Sequence, residues 1–181
     1  MLRVAKTEGA DSMKLLIVAG ALALGACATV PREPAGVAPI AREAVARVPI
    51  ASSVRVPAGH RLVYVSGTVP DALDPAAPEG SVKRYGDTEA QTRSVLSKIA
   101  AELAKHGLGM GDVVMMRVFL VAPPGQERMD FAGMMRGYGA FFATAAQPNK
   151  PARSTMEVAG LVNPGWLVEI EVTAAAPVQR P

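Results

Sequence analysis

Residues 113–121 read Val-Val-Met-Met-Arg-Val-Phe-Leu-Val, and this stretch decides the fold because nearly every position in it is apolar. A strand with one face in water alternates apolar and polar residues, whereas a strand covered on both faces is almost continuously apolar. The stretch therefore predicts a central strand with both of its faces covered.

Two helical patterns flank this strand along the chain. In the first, residues 88–91 (Thr-Glu-Ala-Gln) read as a capping box, and Val95, Ile99 and Leu103 then share one helix face until Gly107 ends the pattern. The second follows Asp130 and continues towards Pro148, and its apolar residues at helical spacing are Phe131, Met134, Met135, Tyr138 and Phe141. Such a stripe is typical of a core-facing helix.

Short β patterns lie on both sides of this central part. Residues 54–56 and 61–66 are apolar and β-branched around a Pro-Ala-Gly-His turn, which predicts a hairpin. Residues 152–158 and 166–174 alternate around Asn163-Pro164-Gly165, which predicts a second hairpin at the end of the chain. The order of elements predicts an α+β fold, in which two helices cover one face of a mixed sheet.

That arrangement leaves one sheet face without helices. Because residues 113–121 are apolar on both sides, the face without helices must meet other apolar surface, most economically that of further copies of the same chain. We therefore expect a symmetric homo-oligomer.

Composition excludes several classes of protein. The chain of 181 residues has one cysteine and two histidines, too few for an internal disulfide or for a zinc or iron–sulfur site. His60 in a turn and His106 at a helix end are interpreted as structural. A formal net charge of +3 without a basic stripe does not indicate nucleic-acid binding.

The N-terminal region is typical of an export signal. Met13-Lys14 precedes an apolar run, residues 15–26, that is shorter than the roughly 20 residues needed to span a bilayer. Leu24-Gly25-Ala26-Cys27 resembles the lipobox of bacterial lipoproteins, in which the cysteine becomes the lipidated first residue. We expect a signal peptide over residues 1–26, with Met13 as a candidate initiator, and lipid attachment at Cys27.

The lipobox resemblance gives an expected location, and the composition after it gives a domain plan. Ala28 after the cysteine is similar to the outer-membrane class, so we expect a lipoprotein of the cell envelope, in the outer membrane and facing the periplasm. Residues 27–48 contain Pro31, Pro34 and Pro39 and are expected to form a Pro/Ala-rich tether. The folded domain is expected over residues 49–176, with a short tail over 177–181.

Polar residues alternate along the two strands of the predicted terminal hairpin. Period-two spacing places two polar sets each on one strand face: Arg153, Thr155 and Glu157, and Glu169, Glu171 and Thr173. If both sets lie on the same side of the sheet, a guanidinium suited to a ligand carboxylate meets carboxylates able to take a proton from water. Alternatively, the residues form cross-strand ion pairs on a solvated face.

Six blocks of sequence resemble the Rid (YjgF) family, in the family's order, between about Val54 and Ala175. The most diagnostic is Pro151-Ala152-Arg153-Ser154 within residues 151–158; the others are residues 63–67, 91–93, 111–114, 138–142 and 168–172. The resemblance implies a chorismate-mutase-like α+β fold and a homotrimer whose sheets close a central barrel, with clefts between neighbouring subunits. It also implies hydrolysis of reactive 2-imino acids and enamines to 2-oxo acids and ammonia, without metal or organic cofactor.

The resemblance assigns roles to four residues. Arg153 would bind the carboxylate of a small metabolite, Glu169 would orient or deprotonate the attacking water, and backbone groups of Thr155 and Gly67 would line the cleft. Met135 stands where the family often has an asparagine, and Thr155 where it often has a cysteine. Two other functions remain open: a non-catalytic binding module for carboxylated metabolites or an envelope partner, and an endoribonuclease.

Overall fold

Six strands form one mixed sheet, and helices pack against one of its faces. The computed structural model describes residues 36–178, so the expected signal peptide and Cys27 lie outside the described residues. The strands are β1 (Ala41–Ala44), β2 (Ala51–Arg55), β3 (His60–Thr68), β4 (Val113–Leu120), β5 (Ala152–Glu157) and β6 (Val168–Pro177). The helices are α1 (Val82–Tyr85), α2 (Thr88–Lys105) and α3 (Phe131–Tyr138), and a 3-10 turn (Met110–Asp112) precedes β4.

The strand order is β1-β2-β5-β4-β6-β3. β4 is a central strand, parallel to β5 on one side and antiparallel to β6 on the other. The α+β arrangement and the central position of residues 113–120 confirm the sequence prediction. α3 lies in the connection from β4 to β5, as expected because two adjacent parallel strands need a crossover.

Local chemistry explains where the helices begin and end. Asp87, rather than Thr88, caps α2, because its side chain accepts a hydrogen bond from the N–H of Ala90 at 2.8 Å. Asp130 caps α3 in the same way through the N–H of Gly133. α3 ends at Tyr138, well before Pro148, since three glycines in and after this segment weaken the helix.

The core lies between the helices and one face of the sheet. Its fully buried members are Val95, Leu96, Ile99 and Leu103 from α2, Met134 and Tyr138 from α3, Met116, Val118 and Leu120 from β4, and Ile170 from β6. Gln91 is buried among them and bonds to the carbonyls of Gly86 and Gly165 and to the N–H of Leu167. These bonds fix α2 against the start of β6.

The opposite face of the sheet, which we call the open face, carries exposed apolar side chains. Tyr64 is 74% exposed and Leu62 is 46% exposed, both on β3. β4 adds half-buried Met115 and Phe119 to this face, together with exposed Arg117. The apolar character of both faces of β4 is thus confirmed, except at Arg117. No helix within residues 36–178 is long and apolar enough to cross a membrane.

Both predicted hairpins are wrong. β2 lies beside β5 while β3 lies at the far edge beside β6, so these two strands do not pair. β4 is inserted between β5 and β6, so the terminal strands do not pair either. Turn residues indicate where the chain reverses, but the pairing partners are set by the crossover through α3.

The expected tether also needs a correction at its end. β1 (Ala41–Ala44) falls within residues 27–48 and pairs antiparallel with β2. Residues 41–44 are therefore an edge strand of the sheet and not part of an extended tether.

Candidate functional site

Arg153 lies beneath α3, on the helix-covered face of the sheet. In the parallel register it is opposite Met116, which belongs to the buried face of β4. Its guanidinium carbon lies 4.5 Å from the centre of the Tyr138 ring and 5.8 Å from that of Phe131. Its Nη2 donates to Sδ of Met135 at 3.2 Å. The surroundings of this charge are thus two aromatic rings and thioethers.

Burial dominates the electrostatics of this group. Loss of solvent lowers the pKa of Arg153, with only a small opposing effect from Tyr138. The Tyr138 hydroxyl donates to the carbonyl of Pro49 at 2.7 Å, and burial raises its pKa well above the usual range. Tyr138 is therefore neutral at physiological pH and does not compensate the guanidinium charge.

No carboxylate of residues 36–178 forms an ion pair with Arg153. Cation–π contact contributes about 1 kcal/mol, and sulfur is a weak acceptor, so both leave a half-buried guanidinium without strong acceptors. Burying a charge is costly unless it is paired. A planar guanidinium in this situation is suited to bind a carboxylate with two parallel hydrogen bonds.

Thr155 follows on the same face of β5. It is opposite Val118 in the register, which is again a buried residue of β4. Its Oγ1 is buried and has no hydrogen-bond partner among the described residues. Glu157, at the end of the strand, is exposed. The predicted set Arg153, Thr155 and Glu157 thus shares one face, as period-two spacing requires.

Glu169 lies on the open face, on the other side of the sheet from Arg153. It is opposite Phe119 on β4, and its side chain lies against Gly67 of β3. A Cβ added at Gly67 would lie only 2.9 Å from Cδ of Glu169, so a larger residue would displace this carboxylate from its position. The pairing register of β3 with β6 shifts between Val65 and Thr68, so the strand pairing is irregular around Gly67.

The carboxylate of Glu169 has no ion-pair or side-chain hydrogen-bond partner within residues 36–178, in contrast to its neighbour. Glu171 binds Arg117 across the β4–β6 pair, which is the cross-strand ion pair that the sequence left open. The interpretation of these residues as cross-strand ion pairs therefore holds for Glu171 but not for Arg153 or Glu169. Glu169 remains available to contact water or a ligand.

The four predicted residues form two separate groups in one chain. We call Arg153, Thr155 and the α3 side chains beside them the arginine half-site, and Glu169 with Gly67 the glutamate half-site. The expected convergence required both polar sets on one side of the sheet, and it does not occur within the chain because the sets occupy opposite faces.

Four residues of the arginine half-site, all on α3, were not predicted as functional: Phe131, Met134, Met135 and Tyr138. The core interpretation of this stripe holds for Met134 and Tyr138, which are fully buried, but is wrong for Phe131, which is exposed. The pairing of Arg153 with a core strand would have indicated a contact with this stripe, but that register is not visible in the sequence. Among residues 36–178, no group of three or more His, Cys, Asp or Glu side chains is placed to bind a metal ion.

Comparison with known proteins gives consistent similarities. The family model described as Endoribonuclease L-PSP matches residues 43–176. A RutC family protein of Synechocystis is 33% identical over 138 residues, covering 76% of this chain and 96% of the relative. The 2-iminobutanoate/2-iminopropanoate deaminase of Salmonella typhimurium is 36% identical over 115 residues, covering 64% of this chain and 78% of that enzyme.

A solved structure shares the fold. The protein YyfB of Yersinia pestis, described as a Rid family protein of unknown function, aligns with a TM-score of 0.54 and 24% identity. The alignment covers 71% of this chain and 87% of that protein. At this identity, the similarity indicates the fold alone.

Proposed function

Because this chain belongs to the endoribonuclease L-PSP family, which is the Rid or YjgF family, and has its mixed α+β fold, we propose that it hydrolyses reactive 2-imino acids and their enamine tautomers to 2-oxo acids and ammonia. A relative with 36% identity is named as a deaminase of 2-iminobutanoate and 2-iminopropanoate. The substrate is thus a small carboxylated metabolite.

The observation that supports this proposal most strongly is the uncompensated guanidinium of Arg153. It is half-buried, stacked on Tyr138 and without an ion-pair partner within residues 36–178. A 2-imino acid supplies the missing carboxylate and places its electrophilic C2 carbon next to it. Binding orients the carbon for attack, and positioning is the main requirement because an imine carbon is already electrophilic.

Glu169 supplies the proton transfers. A water oxygen bonds to C2, the C=N π electron pair moves to nitrogen, and Glu169 accepts one water proton and passes it to nitrogen, which gives a 2-amino-2-hydroxy acid. Glu169 then transfers the remaining hydroxyl proton to nitrogen. The C2–N bond breaks, ammonia leaves, and the water oxygen remains as the 2-oxo group. The reaction consumes one water per imine and requires neither oxidant nor reductant.

The proposal requires two copies of the chain. Arg153 and Glu169 lie on opposite faces of one sheet, so a site that uses both must combine the arginine half-site of one copy with the glutamate half-site of another. The exposed apolar residues Leu62 and Tyr64 on the open face support self-association. We take the assembly to be a homotrimer, as the family resemblance implies.

Lipid attachment at Cys27 remains part of the proposal, with the chain anchored in the envelope and facing the periplasm. The support is the lipobox-like Leu24-Gly25-Ala26-Cys27 after a short apolar run. When cells that express the full chain are fed an alkyne fatty acid, the wild-type protein should become labelled, whereas the Cys27→Ala variant should not. Equal labelling of both would contradict the anchor.

The test of activity uses an amino-acid oxidase as a source of 2-imino acids. The purified chain should accelerate release of the 2-oxo acid and, in a trapping assay, reduce formation of the semicarbazone. Arg153→Ala should lose this effect, because the carboxylate is no longer bound. Arg93→Gln is the matched control, since Arg93 is an exposed cation paired with Glu89 on the helix surface.

The assay also separates a deaminase from a carboxylate-binding module. Acceleration absent in the wild type, or unchanged in Arg153→Ala, would contradict the deaminase proposal. Calorimetric binding of a 2-oxo acid without turnover would identify a carboxylate-binding module instead.

A further inference from the structure

The walls of the arginine half-site carry information about the rest of the ligand, beyond its carboxylate. The side chains in contact with the guanidinium are Phe131, Tyr138, Met134 and Met135. None of these four carries a charge at physiological pH, and the Tyr138 hydroxyl is already bonded to the Pro49 carbonyl. A ligand held by Arg153 therefore meets apolar surface around its bound carboxylate.

Two of these side chains are reachable from outside. Phe131 is 43% exposed at the first turn of α3, and Met135, one turn later on the same helix face, is half-buried. Met134 and Tyr138 are fully buried and lie at the inner side of the arginine half-site. The accessible wall beside the guanidinium is thus one phenyl ring and one flexible thioether.

Distances place a ligand substituent against this wall. When the carboxylate of a 2-imino acid is bonded to a guanidinium, the C2 atom of the acid lies roughly 5 Å from the guanidinium carbon. The centre of the Phe131 ring is 5.8 Å from that same carbon, and Sδ of Met135 is 3.2 Å from Nη2. A substituent on C2 that extends towards this face of α3 therefore comes within contact range, about 4 Å, of Phe131 and Met135.

We propose that Phe131 and Met135 select 2-imino acids with apolar side chains, such as those derived from leucine and methionine, over those derived from serine or asparagine. The inference rests on the proposed function and specifies its substrate class. An apolar substituent gains burial against the ring and the thioether, whereas a hydroxyl or amide placed against Phe131 and Met135 loses water and finds no strong hydrogen-bond partner on these two side chains. Met suits this role because its unbranched side chain adapts to substituents of different shape.

The experiment compares kcat/KM of the full chain for the imines of leucine, methionine, serine and asparagine. A preference for the apolar pair of about tenfold or more is expected, in the range found for small differences in a hydrophobic pocket. Met135→Gln keeps the side-chain length but adds an amide, and should reduce the preference at least about threefold. Met135→Leu is the matched control and should keep it.

A binding arm does not depend on turnover. In calorimetry, 4-methyl-2-oxopentanoate should bind the wild type more tightly than 2-oxosuccinamate, the 2-oxo acid of asparagine, and Met135→Gln should narrow that difference in affinity. Circular dichroism checks that both Met135 variants fold.

The outcomes distinguish a failure of the proposed apolar selection from a failure of the proposed deaminase function. Turnover of all four imines at similar kcat/KM, or a preference that Met135→Gln and Phe131→Ala both leave unchanged, overturns the apolar selection while the deaminase proposal stands. If the chain neither turns over any imine nor binds either 2-oxo acid, the proposed function fails and the inference fails with it.

Discussion

The Arg153 guanidinium stacks on the ring of Tyr138, with 4.5 Å between the guanidinium carbon and the ring centre. Tyr138 is itself held by its hydrogen bond to the Pro49 carbonyl and by stacking on Phe142, with ring centres 4.7 Å apart. The charge is therefore fixed in place by groups that do not neutralise it. A rigid, unpaired guanidinium of this kind is suited to bind an anion and costs the free protein stability.

Arg153→Met tests both aspects of that relationship. Methionine retains the packing against Tyr138 but removes the uncompensated charge, so the free energy of unfolding should rise by about 1 kcal/mol and Tm by roughly 2–4 °C. Imine turnover should be lost at the same time. Thermal unfolding and the oxidase-coupled assay measure the two effects.

A fall in Tm for Arg153→Met would contradict this account, because it would mean that the guanidinium already has a stabilising partner. Arg93→Gln, which removes an exposed ion pair of α2, should leave turnover unchanged and serves as the comparison.

Gly67→Ala tests the position of the general base. The added Cβ would overlap the side chain of Glu169, so the carboxylate must move. Because the carboxylate is bound by Arg153 of another copy, which Gly67→Ala leaves unaltered, kcat should fall about tenfold or more while KM changes less than about twofold. Gly160→Ala is the control, since no atom lies within 4 Å of a Cβ added there. An unchanged kcat in Gly67→Ala would contradict the role of Glu169.

Glu89→Gln tests two ion pairs of Glu89, one that connects α2 with Arg136 of α3 and one with Arg93 within α2. Glu89 Oε2 lies 2.6 Å from Nε of Arg136, and Oε1 lies 3.0 Å from Arg93. These bonds, first that to Arg136 and then that to Arg93, lower the pKa of Glu89 from its ordinary value of 4.5. Their stabilising effect is therefore fully present above pH 4.5 and is lost as the pH falls through the lowered folded-state pKa.

Thermal unfolding across pH measures this effect. The wild type should have a higher Tm than Glu89→Gln near neutral pH, and the difference should disappear in acid. Glu79→Gln, an exposed carboxylate without an ion pair within residues 36–178, should show no such pH-dependent difference. A Glu89→Gln difference that persists unchanged well below pH 4 would show that charge is not its cause.

The two longer helices, α2 and α3, and the central strand could be predicted from the sequence because their signals are local, whereas the short α1 was not predicted. The spacing of Val95, Ile99 and Leu103 identified the buried face of α2, and the apolar run at 113–121 identified β4. The period of two also placed Arg153 with Thr155, and Glu169 with Glu171, on the correct shared faces.

The relative placement of these two sets could not be predicted, because it depends on strand order. A hairpin around Asn163-Pro164-Gly165 would have made β5 and β6 neighbours, but β4 lies between them. The parallel register then aligns Arg153 with buried Met116, and the antiparallel register aligns Glu169 with Phe119 on the other face. No turn signal encodes either register.

The central claim is that Arg153 and Glu169 act together across two copies of the chain. Arg153→Ala and Glu169→Gln should each be inactive alone, and mixing them under conditions that allow subunit exchange should restore activity. In a trimer, random exchange of equal amounts gives intact sites at about a quarter of the interfaces. Recovery to about a quarter of the wild-type rate would agree with this account. No recovery, with exchange verified by differential labelling, would contradict it.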